Sequence, residues 1–296
     1  GSGFESSRGR QTANNPPNMV LYGNSLEINM EVKIINGRGI NVSDEGNTDG
    51  PAFVLANSLG TDLRIWDRFL RNFPQRYRII RFDKRGHGLS DISENDFGIE
   101  GLASDIIEIL DDKQISDCVF VGVSIGGLIG LQVVLNRPDL VKAFVFSNSS
   151  AKVRDKAFWN DRIKIIEKVG LDAVGDSILE KWFSKEFRKN KSEELLAWRN
   201  MLTRTPQRGY LDCCRVLKHT DLRGQLGEVK VDTLVISGSE DGAIPPEEVI
   251  EGTKDLPNAV HETIMGAGHL PCIEKPLEFR ELIFSFLLER ELVNRN

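Results

Sequence analysis

The chain has 296 residues, 40% of them hydrophobic, enough for one large domain with a sizeable core. Its formal net charge of −6 excludes a basic surface built for nucleic acid or an anionic membrane. The four cysteines, Cys118, Cys213, Cys214 and Cys272, show no metal-ligand spacing, and a chain this long needs no disulfide staples. Buried, reduced thiols in a cytoplasmic protein are therefore expected.

The opening stretch, GSGFESSRGRQTANNPPN, is polar and lacks the apolar segment of a secretory signal. Residues 1–29 read as a disordered leader or cloning remnant. No apolar run approaches the roughly 20 residues of a membrane span. From Glu31 the pattern is globular. EVKII and GINVSDEG flank NGRG, a hairpin signal. AFVLAN and YRIIRFD are short apolar runs that suit strands buried on both faces. Between them, Leu63, Trp66, Phe69 and Leu70 have helical spacing. Leu102, Ile106, Ile109 and Leu110 mark one face of a further helix. DCVFVGVS is another buried strand, IGGLIGLQVVLNRPD an apolar helix stopped at Pro138, and VKAFVFSNS the next strand.

Alternating strands and helices predict a mostly parallel sheet covered by helices on both faces, an α/β fold. The alternation stops at residues 151–227, which read as several helices, including DRIKIIEKVG and one continuous run DAVGDSILEKWFSKEF. This insertion has the character of a lid over a core formed by residues 30–150 and 228–296. The pattern resumes with VDTLVISG, a helix at PPEEVIEGTK, the strand AVHETI and a closing helix from about Pro276 to Leu292.

GVSIGG, residues 122–127, is where chemistry enters. A buried strand runs into Ser124 and an apolar helix runs out, which is the setting of a G-x-S-x-G nucleophile elbow. Gly122 and Gly126 flank the serine because strand and helix backbones meet there and a Cβ would clash. The bland alternative is a helix-capping serine. A serine nucleophile needs a base, and the base needs an orienting carboxylate, in the chain order Ser…Asp…His. Of four histidines, His87 lies in a Gly-rich turn, His219 in the insertion and His261 within a strand. His269 lies in the loop GAGHLP after the last strand, on the sheet edge where the elbow opens, and is the expected general base. The acid should come from LVISGSEDGAIPP: Asp241, with Glu240 as the alternative. Two backbone amides should bind the oxyanion, Ile125 after the nucleophile and Leu59 after the AFVLAN strand. No dinucleotide, metal or other cofactor motif is present.

With these residues in place, the chain resembles the α/β-hydrolases, and more narrowly the 3-oxoadipate enol-lactonases. The general features are DKRGHGLSD, GVSIGG and GAGHLPCIEKP. The narrower ones are NSLGTDLRIWD, where most relatives carry His-Gly in place of Asn57-Ser58, and the insertion segments FWNDRI, LEKWFSKEFR and RGYLDCCRVLKHTDLR. The resemblance implies acyl-enzyme hydrolysis of a small anionic lactone, the enol-lactone of 3-oxoadipate, in bacterial aromatic-acid catabolism. It also implies a receiver for the substrate carboxylate in the insertion, with Trp159 and Arg162 as the candidates and Trp182 as a candidate for lining the pocket. Carboxylesterases, other lactonases and C–C bond hydrolases would use the same three residues. A ligand-binding protein on this scaffold would not need them.

Overall fold

A computed structural model of the protein describes residues 29–293. The leader expected over residues 1–29 lies, apart from Asn29, outside the described residues. Strands β1 (Asn29–Ile35) and β2 (Arg38–Gly46) form the hairpin that NGRG predicts. Its turn residues Asn36 and Gly37 have φ of 47° and 75°, the left-handed pair that a two-residue hairpin turn requires. Six more strands complete one sheet: β3 (Ala52–Ala56), β4 (Arg78–Phe82), β5 (Cys118–Val123), β6 (Val141–Ser147), β7 (Asp232–Gly238) and β8 (Ala259–Ile264). Their spatial order is β1-β2-β4-β3-β5-β6-β7-β8. β2 runs antiparallel to both β1 and β4, and the pairings from β4 through β8 are parallel.

Every residue of β3 and β5 is buried. These strands can therefore be apolar without alternation, as central strands of a sheet covered on both sides. The register pairs Val54 with Phe120 and Phe120 with Phe144, one step out of phase with Phe53. Side chains alternate between faces along a strand, so Phe53 and the Phe120–Phe144 pair point to opposite sides. Phe53 packs on Phe73, Tyr77 and Phe284, the last from α11 (Pro276–Glu289). Phe120 and Phe144 meet Gly130 of α3 (Ile125–Asn136), where a Cβ would come within 2.6 Å of both rings. α3 packs in turn on α2 (Ile99–Asp112).

The segment TDLRIWDRFLRNF is less regular than its spacing predicts. It forms a 3-10 turn, Leu63–Trp66, capped by the Asp62 side chain, and then a single turn, α1 (Asp67–Leu70). Between β6 and β7 the chain passes through α4 (Lys156–Val169), α5 (Leu171–Trp182), α6 (Lys185–Asn190), α7 (Ser192–Thr203) and α8 (Gln207–His219). DAVGDSILEKWFSKEF does not make the one helix expected of it. It breaks at Phe183, which is extended, and Ser184 caps α6 through its Oγ, 3.2 Å from the Phe187 amide. α9 (Pro246–Thr253) follows β7, and the short α10 (Pro271–Glu274) precedes α11. No described helix is long and apolar enough to cross a membrane.

Because β4 lies on one side of β3 and β5 on the other, the chain reverses its winding direction there. That reversal opens a crevice at the carboxyl ends of the strands. The backbones are in contact at this point. A Cβ on Gly122 would lie 2.3 Å from the Gly126 carbonyl oxygen, and one on Gly126 would lie 2.1 Å from the Ala56 oxygen. Gly126→Ala should therefore push the start of α3 away from the end of β3. Unfolding in urea should show a loss of about 1–3 kcal/mol at an unchanged slope. An unchanged midpoint would contradict the contact.

Candidate active site

Ser124 stands between β5 and α3 with φ 60° and ψ −124°, a conformation that costs a non-glycine residue of order 1–3 kcal/mol. The surroundings hold it there. Its amide donates to the Ser147 carbonyl at 2.9 Å, and its carbonyl accepts from the Gly127 amide at 2.8 Å and the Ser149 hydroxyl at 2.7 Å. Its side chain makes no capping hydrogen bond, so the helix-cap reading does not describe it. Ser124 is 7% exposed and lines a cavity of about 300 Å3.

His269, 2% exposed, lies in the wall of the same cavity. Its Nδ1 is 2.8 Å from Asp241 Oδ2, and its amide donates to the Trp182 carbonyl at 2.7 Å. That carbonyl is close to the break between α5 and α6, so the irregularity missing from the sequence reading supplies an anchor for the histidine loop. Glu274 of α10 completes the attachment. It accepts from the Gly268 amide at 2.8 Å and from the Ser184 amide and hydroxyl at 3.1 and 2.6 Å. Asp241, 5% exposed, is fully engaged: Oδ1 takes the Ala243 and Ile244 amides at 2.8 and 2.9 Å. The Asp241–His269 bond leaves Nε2 directed at hydroxyl chemistry, here with Ser58 Oγ at 3.4 Å. Ser124 Oγ has no hydrogen bond to a described residue. Such contacts commonly tighten only when substrate binds. Glu240, the alternative acid, turns away and accepts from the Lys185 amide at 2.9 Å.

The other histidines do different work. His261 on β8 meets Thr253 Oγ1 at 2.9 Å, and His219 ends α8 on the surface. His87 is fully buried, and its Nε2 accepts from the Gly60 amide at 3.0 Å. Burial, with the Lys84 charge adding to it, pushes the imidazole well below its ordinary value and keeps it neutral. It thus supports the loop that carries Leu59. Leu59 lines the cavity, and Ile125 follows Ser124 as the first residue of α3. Neither backbone amide is bonded to a described residue.

Trp159, Arg162 and Trp182 also line the cavity. The Trp159 indole N–H is already spent on the Val153 carbonyl at 2.8 Å, so this residue offers the cavity a ring rather than a donor. Two cations were not read from the sequence, Arg154 and Lys181. Arg154 has φ 54° and pairs with Glu248 at 3.0 Å. Asn148 was missed as well. It lies just past β6 in FSNSS, a segment that holds no carboxylate. It is fully buried at φ 48°, and its Nδ2 donates to Asp241 Oδ2 at 3.0 Å and to the Gly268 carbonyl at 3.2 Å. Asparagine tolerates that left-handed backbone better than most residues, but the conformation itself shows only in the fold.

A strained serine on a strand-to-helix turn, an imidazole backed by a buried carboxylate, and Leu59 line one cavity or stand directly behind its wall. The family model for the alpha/beta hydrolase fold matches residues 51–276. The chain is an α/β-hydrolase. This α/β-hydrolase is 30% identical over 246 residues to 3-oxoadipate enol-lactonase 2 of Acinetobacter baylyi, covering 82% of this chain and 91% of that protein. The crystal structure of the enol-lactonase from Burkholderia xenovorans superposes with a TM-score of 0.83 at 28% identity, covering 87% of this chain and 99% of that one. A relative from Pseudomonas savastanoi, 26% identical over 250 residues (81% of this chain, 95% of that protein), bears the name of a carbamate hydrolase, RutD.

Asn148→Ala removes a buried donor from Asp241 and from Gly268 and puts a less suitable residue at a positive φ. This variant of the hydrolase should lose about 1–3 kcal/mol in chemical denaturation. Wild-type stability would show that the bond to Asp241 carries no weight.

Proposed function

We propose that the protein is a serine hydrolase of small anionic lactones, with the enol-lactone of 3-oxoadipate as its substrate. One observation carries the reading. The cavity that Ser124 and His269 share is lined by three cations, Arg154, Arg162 and Lys181, and by no carboxylate. Arg162 and Lys181 have no carboxylate within ion-pair distance among the described residues. A half-buried guanidinium without a counterion suits a substrate carboxylate, and its planar fork can take both oxygens. Residues 151–227 supply this charge and act as a lid over the elbow.

The chemistry then follows from the geometry. Ser124 Oγ attacks the lactone carbonyl while His269 Nε2 takes its proton. Asp241 fixes the ring with Nδ1–H toward itself and stabilises the imidazolium. The tetrahedral oxyanion forms between the Leu59 and Ile125 amides. Collapse breaks the bond from the acyl carbon to the ring oxygen, which departs as an enolate. It takes the proton held on His269 Nε2 and becomes the ketone, which leaves the imidazole neutral. Water then gives a proton to His269 Nε2 and attacks the acyl-serine, and that proton passes to Ser124 Oγ as the second carboxylate is released. An enolate is a better leaving group than a simple alkoxide, so the first step asks less of the acid. Trp159 and Trp182 confine the ring beside the nucleophile. The similarity to the enol-lactonases across the insertion as well as the core supports this choice of substrate over a neutral ester.

The test is a spectrophotometric assay on freshly generated enol-lactone. Ser124→Ala should lose at least about 10⁴-fold in kcat. Turnover by that variant near the wild-type rate would end the serine mechanism. A neutral ester hydrolysed with the higher kcat/KM would end the substrate assignment. Arg162→Ala should raise KM for the anionic lactone by about tenfold or more. It should leave KM for neutral p-nitrophenyl acetate near its wild-type value. Equal effects on both substrates would mean that Arg162 shapes the cavity without reading charge.

A further inference from the structure

Lys84 follows β4 in the turn DKRGHG and is 3% exposed. Its ammonium donates to the Ser58 carbonyl at 2.5 Å and to the Thr61 carbonyl at 3.1 Å. No carboxylate lies within 4.0 Å of it among the described residues; Asp83 and Asp62 act on it only from farther away. Removing an ammonium from water without a direct counterion is costly. The two carbonyls do not need it. Ser58 O also accepts from Thr61 Oγ1 at 2.9 Å, and Thr61 O accepts from Asn57 Nδ2 at 2.6 Å. A buried charge that satisfies nothing otherwise unsatisfied calls for another role.

The Ser58 carbonyl and the Leu59 N–H are the two ends of one peptide group. A cation bonded to the oxygen draws electron density along the amide and makes the N–H a stronger donor. We infer that Lys84 is a positioning residue for the reaction, holding the Ser58–Leu59 peptide in place and polarising it so that the Leu59 amide binds the oxyanion more strongly. This rests on the serine-hydrolase reading, in which that amide is half of the oxyanion hole. Preorganised dipoles aimed at developing charge are often the largest electrostatic contribution in such sites. Asn57, Asp83 and His87 fix the same loop through Thr61 O, the Leu63 amide and the Gly60 amide. Lys84 alone brings charge to the peptide that matters.

The charge is titratable. Burial lowers the Lys84 ammonium to about 8, with Cys213 of α8, Asp83 and Asp62 opposing the shift. Burial also pushes the Cys213 thiol up to about 12. His87 is held neutral by its own burial. The sign is therefore fixed. Lys84 is charged below about pH 8 and loses its charge as pH rises through that value, so oxyanion stabilisation weakens on the alkaline side.

The experiment measures kcat and KM for p-nitrophenyl acetate from pH 6 to 10, using the full chain as wild type, Ser124→Ala, Lys84→Met and Lys84→Gln. The wild type should fall by about tenfold or more in kcat/KM through pH 8 and level off. Both Lys84 variants should run at that lower level across the neutral range without the alkaline fall, through kcat rather than KM. Their thermal midpoints should equal or exceed wild type, since a buried charge has been removed. Wild-type kcat/KM that stays flat from pH 7 to 10 overturns the inference, and needs no variant to fold. Variants that keep the alkaline fall, keep wild-type kcat, or change KM alone overturn it too. If Ser124→Ala still hydrolyses the ester, the serine reading has failed. If Ser124→Ala is inactive and the Lys84 variants match wild type, only the role of Lys84 has failed.

Discussion

The start of helix α3 rests directly on the ends of strands β3 and β5, backbone against backbone. Gly122 meets the Gly126 carbonyl and Gly126 meets that of Ala56, with no room for a Cβ at either glycine. This contact forces the chain to turn within one residue, so Ser124 takes a φ of 60° that a serine does not choose freely. It also sets Ser124 and the Ile125 amide beside the loop that carries Leu59. A helix starting even one turn farther from the sheet would leave the hydroxyl and the two amides pointing at different points in space.

Around that contact the candidate site is assembled from loops, each held by hydrogen bonds of its own. Asp241 accepts from two backbone amides and from Asn148, so its orientation is decided before it meets His269. His269 hangs from the Trp182 carbonyl, and Glu274 ties the histidine loop to Ser184. Asp83, Lys84 and His87 form the floor under the Leu59 loop. Trp182 and Ser184 belong to the insertion, so the histidine is gripped from both parts of the chain. Displacement of the insertion would disturb the histidine as well as open the cavity.

The sheet was legible because central parallel strands are buried on both faces and read as unbroken apolar runs. The Asn36-Gly37 turn was legible because few residue pairs accept two left-handed backbones. The positions proposed for serine, acid and base could be read because each follows a parallel strand at the same end of the sheet. What could not be read depends on tertiary contact. The break between α5 and α6 looks helical in sequence, and it exists because Ser184 caps a new helix and the Trp182 carbonyl meets His269. Asn148 carries no charge to mark it. Lys84 looks like a surface lysine in a polar turn, and only the fold shows that it points inward at two carbonyls. Arg154 and Lys181 are two among 38 basic residues until the cavity brings them beside Arg162.

The central claim is that the fold makes one serine hydroxyl nucleophilic through His269. Reaction with diisopropyl fluorophosphate, followed by intact mass and peptide mapping, tests it without knowledge of the natural substrate. A single phosphoryl adduct on Ser124 is expected, formed about 10²-fold or more slowly in His269→Ala. An adduct on another residue, or labelling of Ser124 at the same rate without the imidazole, would contradict it.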